Sequence, residues 1–123
     1  MARPVVLHVE DNPSNRKVVL HILRSVDVAL METTDGESGL AAAARELPDL
    51  ILLDMHLPGV SGYEVVASLK ADDRTRHIPV IAVTSDAMAG DEARARAAGC
   101  DDYVAKPYRP HQLLEAIRGH LSC

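Results

Sequence analysis

Five polar side chains stand where runs of apolar residues stop. Glu10 and Asp11 follow the run 4–9, Asp54 follows 50–53, Thr84 follows 78–83, and Lys106 follows 102–105. If the three carboxylates converge, each pair about 5 Å apart repels by about 3 kcal/mol at an effective dielectric of about 20. One lysine ammonium offsets only part of that. A hard divalent cation with oxygen ligands is the natural partner. Mg2+ keeps several waters and accepts phosphate oxygens, so it suits such a set best, with Mn2+ the substitute. Asp54 could then act as a carboxylate nucleophile on a phosphoryl group. The cation, the Lys106 ammonium and the Thr84 hydroxyl could each take one equatorial oxygen.

Convergence depends on the elements between these residues. Asn12-Pro13 predicts an N-cap with proline at the first helical position. Val18, Val19, Ile22, Leu23 and Val26 follow at helical spacing. A second strand is expected over 28–33. After Asp35-Gly36 a helix is expected with Leu40, Ala43, Ala44 and Leu47 on its apolar stripe, ending at Pro48-Asp49. Leu50-Ile51-Leu52-Leu53 shows no alternation, as expected of a central strand covered on both faces. Beyond the Gly/Pro loop 57–62, Ser61 and Glu64 form a capping-box pattern ahead of Val65, Val66 and Leu69. An alanine-rich helix should stop at Gly99, and a last helix, with Pro110 in its first turn, carries Leu113, Leu114, Ile117 and Leu121.

Five strand–helix units in strict alternation predict an α/β fold, a doubly wound parallel sheet of five strands. All strand C-termini then share one edge, and ligands in such sheets bind there, at the topological switch point. The five singled-out side chains all fall on that edge.

The chain has 123 residues, a single domain that can bury about two-thirds of its unfolded surface. Its apolar fraction of 47% and charged fraction of 25% exclude a disordered or collagenous chain. With three tyrosines and neither Phe nor Trp, the core must come from aliphatic side chains. A formal net charge of -5 and no basic run argue against nucleic acid as a direct partner and favour cationic ones. No stretch is long and apolar enough for a membrane span. Met1-Ala2-Arg3-Pro4 runs straight into a strand, so no signal peptide is expected. Cys100 and Cys123 have no metal or redox spacing and read as free thiols of a reducing cytoplasm.

Four segments together carry a resemblance. They are Val9-Glu10-Asp11-Asn12, the segment 53–62 with Asp54 and Pro58-Gly59 in it, Ala82-Val83-Thr84, and Tyr103-Val104-Ala105-Lys106-Pro107. In this order and spacing the chain resembles the receiver domains of two-component response regulators over nearly its whole length. The resemblance implies a flavodoxin-like, CheY-like (βα)5 fold with strand order 2-1-3-4-5. It implies Asp54 as phosphoacceptor, and Mg2+ held by Asp11, by Asp54, by Glu10 mostly through water, and by the backbone carbonyl of His56. Thr84 and Lys106 would hold phosphoryl oxygens, and Tyr103 would be a switch aromatic that turns inward as Thr84 moves. Lys106-Pro107 would be a cis peptide. The donor would be a phosphohistidine on a sensor histidine kinase or a histidine phosphotransfer protein. Output would be protein–protein contact through the fourth helix, fifth strand and fifth helix to a downstream target, as a monomer or a phosphorylation-dependent dimer. Such a domain is a signalling phosphoacceptor and not an enzyme, apart from slow self-dephosphorylation. It would either stand alone or belong to a larger regulator or hybrid kinase.

Competing readings meet specific obstacles. An aspartyl phosphatase of the haloacid-dehalogenase type carries a second Asp two residues after its nucleophile, where this chain has His56, and a cap domain is missing. A flavodoxin-like FMN carrier needs a phosphate loop after strand one, where Glu10-Asp11 would repel it. An adaptor with a degenerate site is at odds with the intact acceptor set. The His56 side chain and Asp86 are expected to shape water access to the phosphoryl group, and the Ser85 hydroxyl to alter access near it. His8, His21, His77, His111 and His120 share no motif and read as structural or exposed. The alanine-rich fourth helix is expected to be lightly anchored.

Overall fold

The computed structural model describes residues 3–84 and 90–121. Ten elements alternate along the chain: β1 (Val5–Val9), α1 (Pro13–Leu23), β2 (Ala29–Thr33), α2 (Gly36–Glu46), β3 (Leu50–Asp54), α3 (Gly62–Ala71), β4 (Val80–Thr84), α4 (Asp91–Ala98), β5 (Asp102–Ala105) and α5 (Pro110–His120). The strands form one parallel sheet in the order β2-β1-β3-β4-β5. This is the flavodoxin-like fold that the alternation and the resemblance led us to expect. Ser85, Asp86 and Cys123 lie outside the described residues.

Side chains on a strand alternate between the two faces of the sheet, and here each face feeds its own core. Leu7, Val9, Ile51, Leu53, Val80 and Ala82 pack against Ala42 and Ala43 of α2, Val65, Val66 and Leu69 of α3, and Ala95 of α4. Val6, Leu50, Leu52, Ile81, Val83 and Val104 pack against Val19, Ile22 and Leu23 of α1 and Leu113 and Ile117 of α5. Every residue of β3 and β4 is buried, which is why their sequences lack polar alternation.

The helix signals behave as local chemistry requires, with two shifts. Asn12 caps α1 through its side chain, Pro13 takes the first position, and Ser61 with Glu64 closes a capping box on α3. The α1 stripe is narrower than expected. Val19, Ile22 and Leu23 are buried, while Val18, one step off that line, is 48% exposed. On α2 the expected Ala43 is buried and Leu40 packs half-buried against the core, but Ala44 is only half-buried and Leu47 is exposed, and the buried face is completed by Gly36, Gly39 and Ala42. A side chain on Gly39 would meet Val9 Cγ2 at 2.8 Å, so only glycine lets α2 lie this close to β1. Leu47 instead caps α2 in the left-handed region at φ 47° and is half exposed.

Ala95 is the only buried residue between Asp91 and Ala98, so α4 is thinly anchored by apolar packing. Polar contacts supplement it. The Arg94 guanidinium lies 3.9 Å from the Tyr63 ring centroid, and Arg96 donates to Glu92, the Asp101 carbonyl and Asp102. Among the described residues no helix is long and apolar enough to cross a membrane.

Candidate metal and phosphoryl site

Strand register assembles the site as a staircase. Val9 pairs with Leu53, so Glu10, the next residue, stands level with Asp54. Asp54 pairs with Val83, which sets Thr84 one step further along β4. Thr84 pairs with Ala105, and Lys106 N–H donates to the Thr84 carbonyl at 2.7 Å. The structure thus brings Glu10, Asp54, Thr84 and Lys106 to one edge of the sheet, with Asp11 beside them at the mouth.

The carboxylates are close. Glu10, Asp11 and Asp54 each offer an oxygen within 4.8 Å of the others. Glu10 and Asp54 are buried, at 1% and 6% exposure, while Asp11 is exposed. Lys106 Nζ donates to Glu10 Oε1 at 2.6 Å, and Asn12 N–H donates to Glu10 Oε2 at 3.3 Å. His56 N–H donates to Asp54 Oδ1 at 3.0 Å. Burial pushes the Asp54 carboxyl up to about 6, and the neighbouring Glu10 charge adds to it. Glu10 goes the other way. Its burial would raise it, but the Lys106 hydrogen bond and the proton that Asp54 can offer hold it below the ordinary carboxylate range. The pair therefore keeps its charge on Glu10, facing Lys106, and its proton preferentially on Asp54.

Two hydroxyls complete the picture. Thr84 Oγ1 and the Tyr103 hydroxyl are buried, and among the described residues neither has a hydrogen-bond partner. An unpartnered buried hydroxyl is costly, and one at the rim of an acidic hollow suits an incoming oxygen. The Tyr103 ring packs against the core shared by α2, α3 and α4. The Lys106–Pro107 peptide is cis. The His56 side chain is exposed.

The loop after Asp54 is shaped by a close approach. Gly62 N–H donates to the Met55 carbonyl, and a Cβ on Gly62 would fall 2.5 Å from Met55 Cα and 2.6 Å from the Asp54 carbonyl oxygen. Only glycine lets α3 start directly over the end of β3. The donor set as a whole is three hard carboxylate oxygens with one unpartnered hydroxyl, which fits a small hard divalent cation. Among the described residues it offers no sulfur or imidazole for a softer metal.

Three features have no clear signal in the sequence. Arg16, on α1, sends Nη1 back to the Glu10 carbonyl at 3.1 Å and the Asp11 carbonyl at 3.0 Å. His8 lies buried on β1 two residues before Glu10, on the same face, with Nδ1 unpartnered among the described residues. Burial pulls its imidazole down to about 4, against the opposing charge of Glu10. Finally, Lys106 is bound to Glu10 in this state, a pairing across 96 positions that no local pattern reveals.

Comparison with known proteins gives concordant results. The sequence model for the response regulator receiver domain matches residues 6–118. The chain is 45% identical over 116 residues to the polar-differentiation response regulator DivK of Brucella anthropi, covering 94% of each, and 44% identical to that of Brucella ovis over the same shares. Among solved structures it resembles the receiver domain of sensor histidine kinase PA1611 from Pseudomonas aeruginosa, which has a magnesium ion coordinated in its active site cleft. The TM-score is 0.89 at 34% identity, covering 97% of this chain and 98% of that one. It also resembles the chemotaxis protein CheY4 of Vibrio cholerae, with a TM-score of 0.89 at 27% identity, covering 98% and 100%.

Proposed function

Because the chain belongs to the response regulator receiver domain family of phosphorelay signalling, we propose that Asp54 is its phosphoacceptor in a reaction that requires Mg2+ or Mn2+. The observation that carries this reading is the convergence of Glu10, Asp11 and Asp54 within 4.8 Å, beside a lysine ammonium and an unpartnered buried threonine hydroxyl. Glu10, Asp11 and Asp54 would hold the cation, with the His56 carbonyl as a further ligand. Bound there, the cation neutralises phosphoryl oxygens and holds Asp54 ionised.

The chain's own groups do the rest. An ionised Asp54 oxygen attacks the phosphorus of a phosphohistidine. A new O–P bond forms as the N–P bond breaks, and the imidazole nitrogen departs with that bond's electron pair as a neutral ring whose other nitrogen keeps its hydrogen. The His56 backbone N–H steadies Asp54. Lys106 leaves Glu10 for a phosphoryl oxygen, and the Thr84 hydroxyl donates to another. The second move gives a partner to a buried hydroxyl that has none among the described residues, while the first leaves Glu10 to the cation.

Thr84 sits in β4 next to β5, so its movement towards the phosphoryl group changes the room available to Tyr103. That couples the site to α4, whose thin apolar anchoring makes it easy to shift. A change from 1:99 to 99:1 between two arrangements takes about 5.5 kcal/mol of differential stabilisation. A phosphoryl group with its ligands supplies part of this, so the active arrangement is partly populated beforehand. The output is contact with a downstream protein through α4, β5 and α5. The donor is a sensor histidine kinase or a histidine phosphotransfer protein, and residues 1–123 act as one receiver domain in the cytoplasm.

The test is phosphorylation of the purified chain by acetyl phosphate and by a phosphorylated histidine phosphotransfer protein, followed by intact mass. One phosphoryl group should be gained with Mg2+ and none in EDTA. Equal gain without a divalent cation would remove the proposed chemistry.

A further inference from the structure

The short link between β1 and α1 must find partners for its backbone groups outside any continuous ladder. Glu10 N–H donates to the Thr33 carbonyl at 3.0 Å, and Asn12 N–H to Glu10 Oε2 at 3.3 Å. The Asn12 carbonyl accepts from Arg16 N–H at 3.1 Å as α1 begins. The two remaining carbonyls, of Glu10 and Asp11, both go to a single group, Arg16 Nη1, at 3.1 and 3.0 Å. One nitrogen carrying two hydrogens can serve both.

These two carbonyls belong to the two peptide planes that flank the Asp11 Cα. Fixing both planes fixes φ and ψ of Asp11, and with them the direction of its Cα–Cβ bond. That matters because the Asp11 carboxylate is exposed and, among the described residues, has no hydrogen bond of its own. Glu10 is held by Lys106 and Asn12, and Asp54 by His56. The third acid of the cluster is aimed only by its backbone.

We infer that Arg16 is a positioning residue for the cation site: its guanidinium clamps the peptide planes on either side of Asp11 and so aims that carboxylate into the hollow. The inference rests on the reading of Glu10, Asp11 and Asp54 as the cation site. It carries an unusual sign. A positive charge beside three carboxylates weakens cation binding by Coulomb repulsion, so its removal by charge alone would tighten binding. Loss of the clamp works in the opposite direction, since groups that orient metal ligands are worth about 10- to 100-fold in affinity.

The experiment is Mg2+ titration by calorimetry of the wild type, Arg16→Met, Arg16→Lys and Asp11→Asn, with backbone amide shifts of Asp11 and Asn12 recorded by NMR. Arg16→Met keeps the aliphatic stem and loses both hydrogen bonds. It should weaken Mg2+ binding about tenfold or more, despite deleting a positive charge, and should move both amide signals before Mg2+ is added. Arg16→Lys keeps a donor nitrogen that can replace part of the clamp, and should weaken binding less. Mg2+ binding as tight as wild type or tighter in both Arg16 variants, with Asp11→Asn impaired, overturns the role of Arg16 while leaving the cation site standing. Undiminished binding by Asp11→Asn overturns the cation reading itself, and the role of Arg16 falls with it.

Discussion

Replacing Asp54 with Asn keeps shape and volume while removing one charge from a crowded hollow. The carboxylate oxygens of Glu10, Asp11 and Asp54 lie within 4.8 Å of one another, a separation at which each like-charged pair costs about 3 kcal/mol at an effective dielectric of about 20. The titration of Asp54 gives the same scale. Burial, reinforced by Glu10, raises its carboxyl from 3.8 to about 6, and a shift of that size corresponds to about 3 kcal/mol of destabilisation by the charged form. The sign follows from the direction. The folded chain binds the Asp54 proton more tightly than the unfolded chain, so the penalty is complete above pH 6 and vanishes as pH falls towards 3.8. Asn can still accept the His56 N–H, and its amide can donate to Glu10. Asp54→Asn should therefore be more stable than wild type by about 2–3 kcal/mol in EDTA above pH 6. The gap should close as the solution is acidified. Urea unfolding in EDTA across that range measures it directly. With Mg2+ present, wild type should recover stability by mass action and the variant should not. A variant no more stable than wild type above pH 6, or a gap that persists at low pH, would refute the electrostatic account of the hollow.

Other perturbations probe the same arrangement. Lys106→Met strands the buried Glu10 carboxylate, whose partner lies at 2.6 Å with side-chain exposures of 13% and 2%; it should cost about 3–5 kcal/mol in EDTA, a loss that Mg2+ partly restores in urea unfolding, and equal losses with and without Mg2+ would count against it. Thr84→Val deletes a buried hydroxyl with no partner among the described residues, so stability by urea unfolding should rise by about 1–3 kcal/mol while phosphorylation by acetyl phosphate slows about a hundredfold. Burial, with the Asp101 charge adding to it, pushes the Cys100 thiol from 9.0 up to about 11. In a Cys123→Ser background its native-state alkylation by iodoacetamide should keep accelerating with pH through about 11, and a plateau near 9 would contradict the burial.

The candidate site is legible in the sequence because its residues stand where apolar runs end, and parallel strands bring such ends to one edge. Asp54, Thr84 and Lys106 needed only the strand order to converge. Caps were equally readable at Asn12 and Ser61, since their chemistry is confined to three or four neighbouring residues. Helix faces were less so. The stripe on α2 is right at Leu40 and Ala43 but off at Leu47, because hydrophobicity counts Leu47 and overlooks Gly39, whose value lies in allowing contact with Val9. Val18 looked like core because it is apolar, yet it stands off the line set by Val19, Ile22 and Leu23. The two polar contacts that organise the hollow, Arg16 to the loop carbonyls and Lys106 to Glu10, were invisible. One uses backbone acceptors that carry no residue signature, and the other closes across the entire fold.

The most direct test of the central claim is chemical mapping of the acceptor. The chain is phosphorylated by acetyl phosphate in Mg2+, reduced with borohydride to turn an acyl phosphate into an alcohol, and digested for mass spectrometry. Conversion of Asp54 to homoserine, abolished by EDTA and in Asp11→Asn, is the predicted result. A modified residue elsewhere, or conversion of Asp54 that proceeds equally in EDTA, would contradict a cation-dependent phosphoacceptor in this hollow.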